Sequence, residues 1–538
     1  MQTRWPIIIV TLALAGWIGY WIAGTAVPKS PVPSREVPVD SGPKRTRIPD
    51  EPLPKFRKAD RGPSTRRDDE ALAAGALPGQ RNLIFTDQAA LEDFLKRAGN
   101  RIQLLGRLDA LNALRIGFSN ADDLASLLDA DSQQSFIYPV DLPAPSEGTA
   151  QPGAVALGAG LLDWLGVSSD NSAWGSGVSI AILDTGVAAN SAFSSKITSI
   201  NLVDLPTDPS KQNGHGTAVA SMVIGNGELT PGVAPGASIL SIRIANDLGQ
   251  SDSFLLAKGI VAAVDGGARL INISMGSPGD SGLVRSAIEY ARAAGSMIVA
   301  AAGNNGINNV SFPAANEGVI AGGAVDAMGN HLNFSNTGRQ IALSAPGFGI
   351  NAAWIGNQAA SVSGTSFSSP IIVGAIAAVM SQPGSKKITN TQALNLISSN
   401  LNDAGEAGSD FAFGAGMIDL GRVFNRGTSG IYDAAVASQR ILPPSPGSPY
   451  GQVEVLVQNR GTEPLVNTAV QISTPSGVVN TNITTLGVNA VQTIRVPITQ
   501  ANAASLRFDS IVRLSGGRSD AKPSNDRRVE TYVPAVKK

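Results

Sequence analysis

"VSIAILDTGV", residues 178–187, joins an apolar run with no polar alternation to an aspartate and a glycine turn. A strand with one face in water alternates apolar and polar residues, whereas an unbroken run suits a strand buried on both faces. Comparable runs follow as "ILSIRI" (239–244), "RLINIS" (269–274), "SMIVAAA" (296–302) and "GVIAGGAV" (318–325). Helical patterns lie between them, such as "SFLLAKGIVAAVDGG" (253–267) and "LVRSAIEYARAAG" (283–295). This alternation over about 155–425 predicts an α/β domain built on a mainly parallel sheet. Its chemistry is expected in loops at the carboxyl ends of the strands.

Four polar residues stand at a strand end or a helix start. Asp184 closes the opening run, where a cap before a glycine turn is the plainer reading. His215, in "QNGHGTAVASMVIG" (212–225), lies between two glycines and directly before an apolar helix. Asn304 ends the run "SMIVAAAGNNG" (296–306), where asparagine is also a common turn residue. Ser366, in "SGTSFSSPIIVGAIAAVM" (363–380), opens a very apolar helix that Ser368 or Ser369 could cap equally well. Each residue alone is ambiguous. In the order Asp, His, Ser within one parallel α/β domain they match a known arrangement for acyl transfer.

The blocks "DTG", "GHGTAVAS", "AAGN" and "GTSFSSP" resemble those of the subtilisin-like serine proteases, over roughly residues 160–425. The resemblance implies a three-layer domain and an endopeptidase acting on proteins or peptides. Ser366 would be the nucleophile, His215 the base, Asp184 its orienting carboxylate, and Asn304 an oxyanion donor. It also implies an extended substrate between Ser274, Met275, Gly276 and Ser277 on one side and Leu248, Gly249 and Gln250 on the other. Ser311 and Phe312 would form the floor of the primary specificity pocket, where no acid or base marks a charged preference, and Gly303 would be a further substrate-binding residue. The second histidine usual in the "HGT" block is Ala218 in this chain. The loop "GNGELTPGVAP" (225–235) is short where many relatives bind calcium. No metal ligands are assigned, no cofactor is required, and a structural calcium ion is allowed without residues.

Composition narrows the alternatives. With 538 residues the chain has length for about two to four domains. A net charge of −1 gives no pull toward nucleic acid. With no cysteine there is no disulfide, thiolate metal site or thiol nucleophile, and His215 and His331 are its only histidines. Residues 5–27 carry no charge and are long enough to span a bilayer, so residues 1–27 read as a membrane anchor or a cleaved signal peptide. The protein is then exported, either anchored or secreted. Lys29, Arg35, Lys44 and Arg45 follow the span and only Arg4 precedes it, a charge bias that favours the opposite orientation.

Residues 28–80 read as a disordered Pro- and charge-rich linker. Residues 81–140 show the order β-α-β-β-α-β of a ferredoxin-like unit: "NLIF", "TDQAALEDFLKRAG" with a threonine cap, "RIQLLGRL", "ALRIGF", "SNADDLASLLDA" and "SFIYPV". In position and element order this unit resembles a subtilase propeptide, which would make the protein a zymogen cut within a processing linker at 141–160. The catalytic domain is placed at 161–425. Residues 430–538 alternate in short segments between turns, the pattern of an antiparallel β-sandwich similar to cell-adhesion-type domains. A non-catalytic envelope binding protein on a degenerate protease scaffold is the alternative, but it is expected to have lost one of the four residues above. Oligomeric state is not legible in the sequence.

Overall fold

The computed structural model describes residues 64–142, 150–194, 196–203, 213–382, 388–444, 446, 450–498 and 506–532. The expected span at 5–27, most of the 28–80 linker and residues 143–149 of the processing linker lie outside them.

The N-terminal unit begins with helix α1 (Ser64–Ala73), followed by β1 (Gln80–Phe85), α2 (Gln88–Ala98), β2 (Gln103–Leu108), β3 (Ala113–Gly117), α3 (Ala121–Leu127) and β4 (Ser132–Ser135). Its strands form an antiparallel sheet in the order β2-β3-β1-β4, as expected of a ferredoxin-like unit. β1 explains why "NLIF" does not alternate. Leu83 and Phe85 pack under the helices with Leu91, Phe94 and Leu124, while Ile84 joins the core of the following domain. Asp87, not Thr86, caps α2 by accepting the Ala90 N–H at 2.8 Å. Helix α1 falls inside the stretch read as linker. It is held by Asp68, which meets the buried Arg81 at 2.8 Å, and by Ala71 against Tyr138.

"SFIYPV" does not form one strand. β4 ends at Ser135, and Pro139–Asp141 leaves the sheet as β5 to pair with the next domain.

That domain carries a seven-stranded, wholly parallel sheet. Its strands are β6 (Ser179–Asp184), β7 (Ile197–Asn201), β8 (Ser238–Arg243), β10 (Leu270–Ile273), β11 (Met297–Ala301), β12 (Val319–Val325) and β13 (Ile341–Pro346); the short β9 (Gln250–Asp252) pairs with β5 instead. The sheet order is β13-β12-β11-β10-β6-β8-β7. The chain leaves β6 for the far edge and returns on both sides of it, so β6 lies at the switch point where such sheets place their sites. Helices α4 (His215–Ile224) and α7 (Thr365–Met380) bury one face of the sheet. Helices α5 (Ser253–Asp265) and α6 (Gly282–Ala293) bury the other, giving three layers.

The C-terminal region is an antiparallel sandwich. One sheet pairs β14 (Ala434–Leu442), β15 (Gln452–Asn459) and β18 (Val491–Pro497). The other has β16 (Leu465–Thr474), β17 (Gly477–Leu486), β19 (Leu506–Arg513) and β20 (Arg527–Tyr532), in the order β17-β16-β19-β20. Val453, Val455 and Val457 alternate into a shared core with Ile472, Phe508 and Val512. Between them, the buried Glu454 meets Arg440 at 2.7 Å and Arg495 at 2.8 Å. Gln458 ties the sandwich to the preceding domain: its amide donates to the Leu401 carbonyl at 3.1 Å and its oxygen accepts the Asp403 N–H at 3.0 Å.

Near the end of the sandwich, Asp526 is pushed up to about 7 by burial and by the neighbouring carboxylates of Asp520 and Asp433. In the unfolded chain a carboxyl titrates near ~4. The folded protein therefore holds this proton more tightly, and the stability it contributes is lost as pH rises through about 7. Asp526→Asn is expected to raise the denaturant midpoint at pH 8 and to flatten its rise between pH 8 and 5.5. Parallel wild-type and variant curves would contradict this.

Candidate active site

Asp184 is the last residue of β6 and is fully buried. A buried carboxylate must be hydrogen-bonded to be tolerated. Its Oδ1 accepts the Thr185 N–H at 2.7 Å and the Thr185 hydroxyl at 3.2 Å. Both carboxylate oxygens lie 2.9 Å from Nδ1 of His215, the first residue of α4. The approach leaves no room beside the ring: a Cβ on Gly216 would stand 2.3 Å from the Gly186 carbonyl oxygen and 3.1 Å from Asp184 Oδ1. The "HG" dipeptide is thus a packing requirement as well as an exposure signal.

Ser366 is the second residue of α7. The cap is Gly364, which supplies no side chain, so the alternative of a serine cap does not hold. Ser368 donates instead to the carbonyls of Ala345 and Pro346. Ser369 contacts Ser274 Oγ at 3.2 Å. The Ser366 hydroxyl donates to the Ser274 carbonyl at 3.1 Å, and Phe367 packs its ring on His215 with centroids 5.2 Å apart. Pro370 adds a consequence that the sequence does not announce. Four residues past Ser366, it has no N–H to give the Ser366 carbonyl, and the Ser274 hydroxyl donates to that carbonyl at 2.7 Å. The helix entrance is thereby tied to the segment 274–277.

Asn304 follows β11. Its side-chain oxygen accepts the Thr365 N–H at 2.9 Å and the Thr365 hydroxyl at 2.8 Å, which turns its amide nitrogen toward Gly364. Gly364 has φ +140, and a Cβ on it would stand 2.9 Å from that nitrogen. Thr365 also accepts the Gly303 N–H at 3.1 Å. Nothing in the sequence singles out Thr365 or Thr185, because a hydroxyl beside a candidate residue gives no signal of what it holds.

The expected groove residues come together around the chain's own β5. Asp141 exchanges both backbone hydrogen bonds with Gly276, at 3.0 and 2.9 Å, and the Leu142 N–H donates to the Gly249 carbonyl at 3.0 Å. On the other side Gln250 stands opposite Asp141 and Asp252 opposite Pro139. Burial there pushes the Asp141 carboxyl up. Met275 is buried, while Leu248 projects with 80% of its surface exposed. Ser277 and Phe312 exchange backbone hydrogen bonds at 2.8 and 3.0 Å. Ser311 lies against Gly276 and Gly303, with the Asn336 amide 3.4 Å from its hydroxyl. No charged side chain stands among Gly303, Ser311 and Phe312.

His331 takes no part in it. The ring packs on Phe413 with centroids 5.9 Å apart, its Nε2 has no partner, and burial pulls its pKa down. Among the described residues, no three or more Asp, Glu, His or Cys side chains converge as a metal site, and no residue is assigned to calcium.

The pattern of the subtilase family, peptidase S8, matches residues 175–416. Subtilisin DY of Bacillus licheniformis is 33% identical over 252 residues, covering 46% of this chain and 90% of that protein. The thermostable alkaline protease of Halalkalibacterium halodurans is 35% identical over 253 residues, 46% of this chain and 68% of its own length. The solved structure of the epidermin leader peptide processing serine protease of Staphylococcus aureus matches with a TM-score of 0.54. It is 20% identical and covers 65% of this chain and 99% of that one, a likeness of fold.

Gly216→Ala tests how tightly the Asp184–His215 contact is packed. Overpacking of this kind costs about 1–3 kcal/mol. A lower thermal midpoint is expected, together with loss of the downfield imidazole N–H proton resonance of His215. An unchanged midpoint and resonance would show that the turn has room to spare.

Proposed function

Because this chain belongs to the subtilase family and is a subtilisin-like serine endopeptidase, we infer that Asp184, His215 and Ser366 carry its peptide hydrolysis, with Asn304 as oxyanion donor. The observation that supports this most is the placement of His215 Nδ1 2.9 Å from both oxygens of a buried carboxylate. That partner favours the tautomer with hydrogen on Nδ1, leaving Nε2 with a lone pair to accept a proton. Ser366 attacks the scissile carbonyl as His215 takes the hydroxyl proton, which then passes to the leaving amine. Asp184 stabilises the imidazolium between the two transfers. The tetrahedral oxyanion is met by the Asn304 amide and the Ser366 backbone N–H. In subtilisin, loss of the corresponding asparagine donor costs roughly a hundred- to a thousandfold in turnover.

The Ser366 hydroxyl rests on the Ser274 carbonyl. A substrate strand in the register of Asp141 and Gly276 brings the residue two positions further on opposite Ser274. Its N–H competes for that carbonyl, which turns the hydroxyl toward His215. Substrate binding and nucleophile alignment are coupled by this exchange.

The N-terminal unit acts as an inhibitor that the enzyme itself removes. This is supported by β5 lying between Gln250 and Gly276, where an extended substrate adds to the sheet edge. The uncharged stretch at 5–27 suits export, with the protease anchored or released. Among the described residues no helix is long and apolar enough to cross a membrane. The binding-protein alternative gains no support, since all four residues are present and the relatives are proteases.

Wild-type protein is expected to shorten on storage to a form whose new N-terminus, read by sequencing, falls within 141–160. Ser366→Ala is expected to stay at full mass. Equal shortening of both would overturn self-processing.

A further inference from the structure

We propose that Asp252 selects a basic side chain at the fifth substrate residue before the scissile bond, a reading that rests on the endopeptidase function above. The position follows from register. Gly276 stands opposite Asp141, so Ser274, two residues back, stands opposite the substrate residue two further on. Ser274 is also the residue whose carbonyl meets the Ser366 hydroxyl at 3.1 Å. The residue opposite Ser274 therefore supplies the attacked carbonyl. Counting back four residues reaches the position that Pro139 occupies, directly opposite Asp252.

The faces agree with this count. Val140 is fully buried in the core beneath the groove, so its neighbours Pro139 and Asp141 point away from that core. Directly opposed residues of an antiparallel pair share a face, with Cβ atoms about 4.5–5.5 Å apart. Asp252 thus presents its carboxylate on the outer face, beside the fifth substrate residue and within reach of an arginine or lysine there.

The carboxylate is already used as a cation-binding site. Its Oδ1 is fixed by the Phe254 and Leu255 N–H groups at 2.9 and 3.0 Å, capping α5. Its Oδ2 takes the Arg115 guanidinium at 2.7 Å, and Arg115 comes from β3 of the N-terminal unit. Arg115 is held in turn by Gln80 at 3.0 Å. In this chain position 139 is proline, so the cation reaches Asp252 from a neighbouring strand and not from the groove itself. When the N-terminal unit leaves, Arg115 leaves with it. The fixed Oδ2 is then exposed beside the bound peptide, rigid because the helix cap holds its partner oxygen. A rigid carboxylate with one free oxygen favours a charge-assisted hydrogen bond to a cationic side chain. The N-terminal unit therefore imitates the ligand it excludes.

The test compares peptides that differ only in Arg, Gln or Asp at the fifth residue before the bond, hydrolysed by protein expressed as the full chain and allowed to release its N-terminal unit. The Arg peptide is expected to exceed the Gln peptide in kcat/KM by about fivefold at low salt, with the Asp peptide poorest; partial solvent exposure keeps the figure modest. The Arg-to-Gln ratio is expected to fall toward one in 0.5 M salt and in Asp252→Asn, whose amide oxygen can still cap α5. A wild-type ratio of one, or a ratio unchanged in Asp252→Asn, overturns the proposal. If that variant does not fold, a wild-type ratio insensitive to salt does the same. Hydrolysis of the Gln peptide alongside a ratio of one would sink the selectivity and leave the endopeptidase reading intact. Failure to cut any of the peptides would sink both.

Discussion

Asp184 is a fully buried carboxylate at the end of β6, and much of the local structure serves to make that tolerable. A carboxylate withdrawn from water costs several kcal/mol unless its oxygens are filled. Here they are filled by the Thr185 N–H and hydroxyl and by the His215 ring. That solution requires β6 to end at residue 184, the chain to turn at once, and α4 to begin with its histidine pressed against the turn. Gly216 is the residue that lets the two backbones meet. Flanked by β8 and β10, β6 has little freedom to shift, so the imidazole is oriented by the sheet itself.

A second set of contacts fixes α7 relative to that imidazole. Ser274 and Thr365 bind the helix entrance to the loops after β10 and β11, and Pro370 makes the first of these contacts necessary by leaving the Ser366 carbonyl without a helical donor. The same Ser274 belongs to the groove segment that pairs with β5. The entrance of α7 and the segment that pairs with β5 therefore share one residue, which on the proposed reading links peptide recognition to nucleophile placement. The N-terminal unit exploits the arrangement from outside, contributing one strand to the groove and one guanidinium to its rim.

How much of this is legible in the sequence depends on the kind of constraint. The central strands are readable because burial on both faces leaves an unbroken apolar run, as in Ile180–Leu183 and Ile298–Ala301. The four polar residues are readable because their flanking glycines and chain order are dictated by close approach and by the sheet. "SFIYPV" misleads because Tyr138 and Val140 are apolar for a reason external to their own sheet: they pack outside it, Tyr138 against Ala71 and Val140 into the neighbouring domain. Helix α1 escapes notice because its hold is tertiary, the Asp68 ion pair to Arg81 and the small Ala71 against Tyr138, with no apolar period to mark it. Thr185, Thr365 and the role of Pro370 are silent, since a hydroxyl or a missing N–H acquires meaning only from its neighbour. Asp252 looks like an ordinary helix cap, which it is; its second oxygen becomes informative only with Arg115 set against it.

We propose Ser366 as the nucleophile, and on that reading peptide hydrolysis by this chain depends on it. A serine-directed fluorophosphonate probe, followed by peptide mapping of the labelled protein, tests this directly. Labelling confined to Ser366 in the wild type, and abolished in Ser366→Ala and strongly reduced in His215→Ala, is the expected result. Labelling of wild type no greater than that of Ser366→Ala, or labelling carried by Ser368 or Ser369, would contradict it.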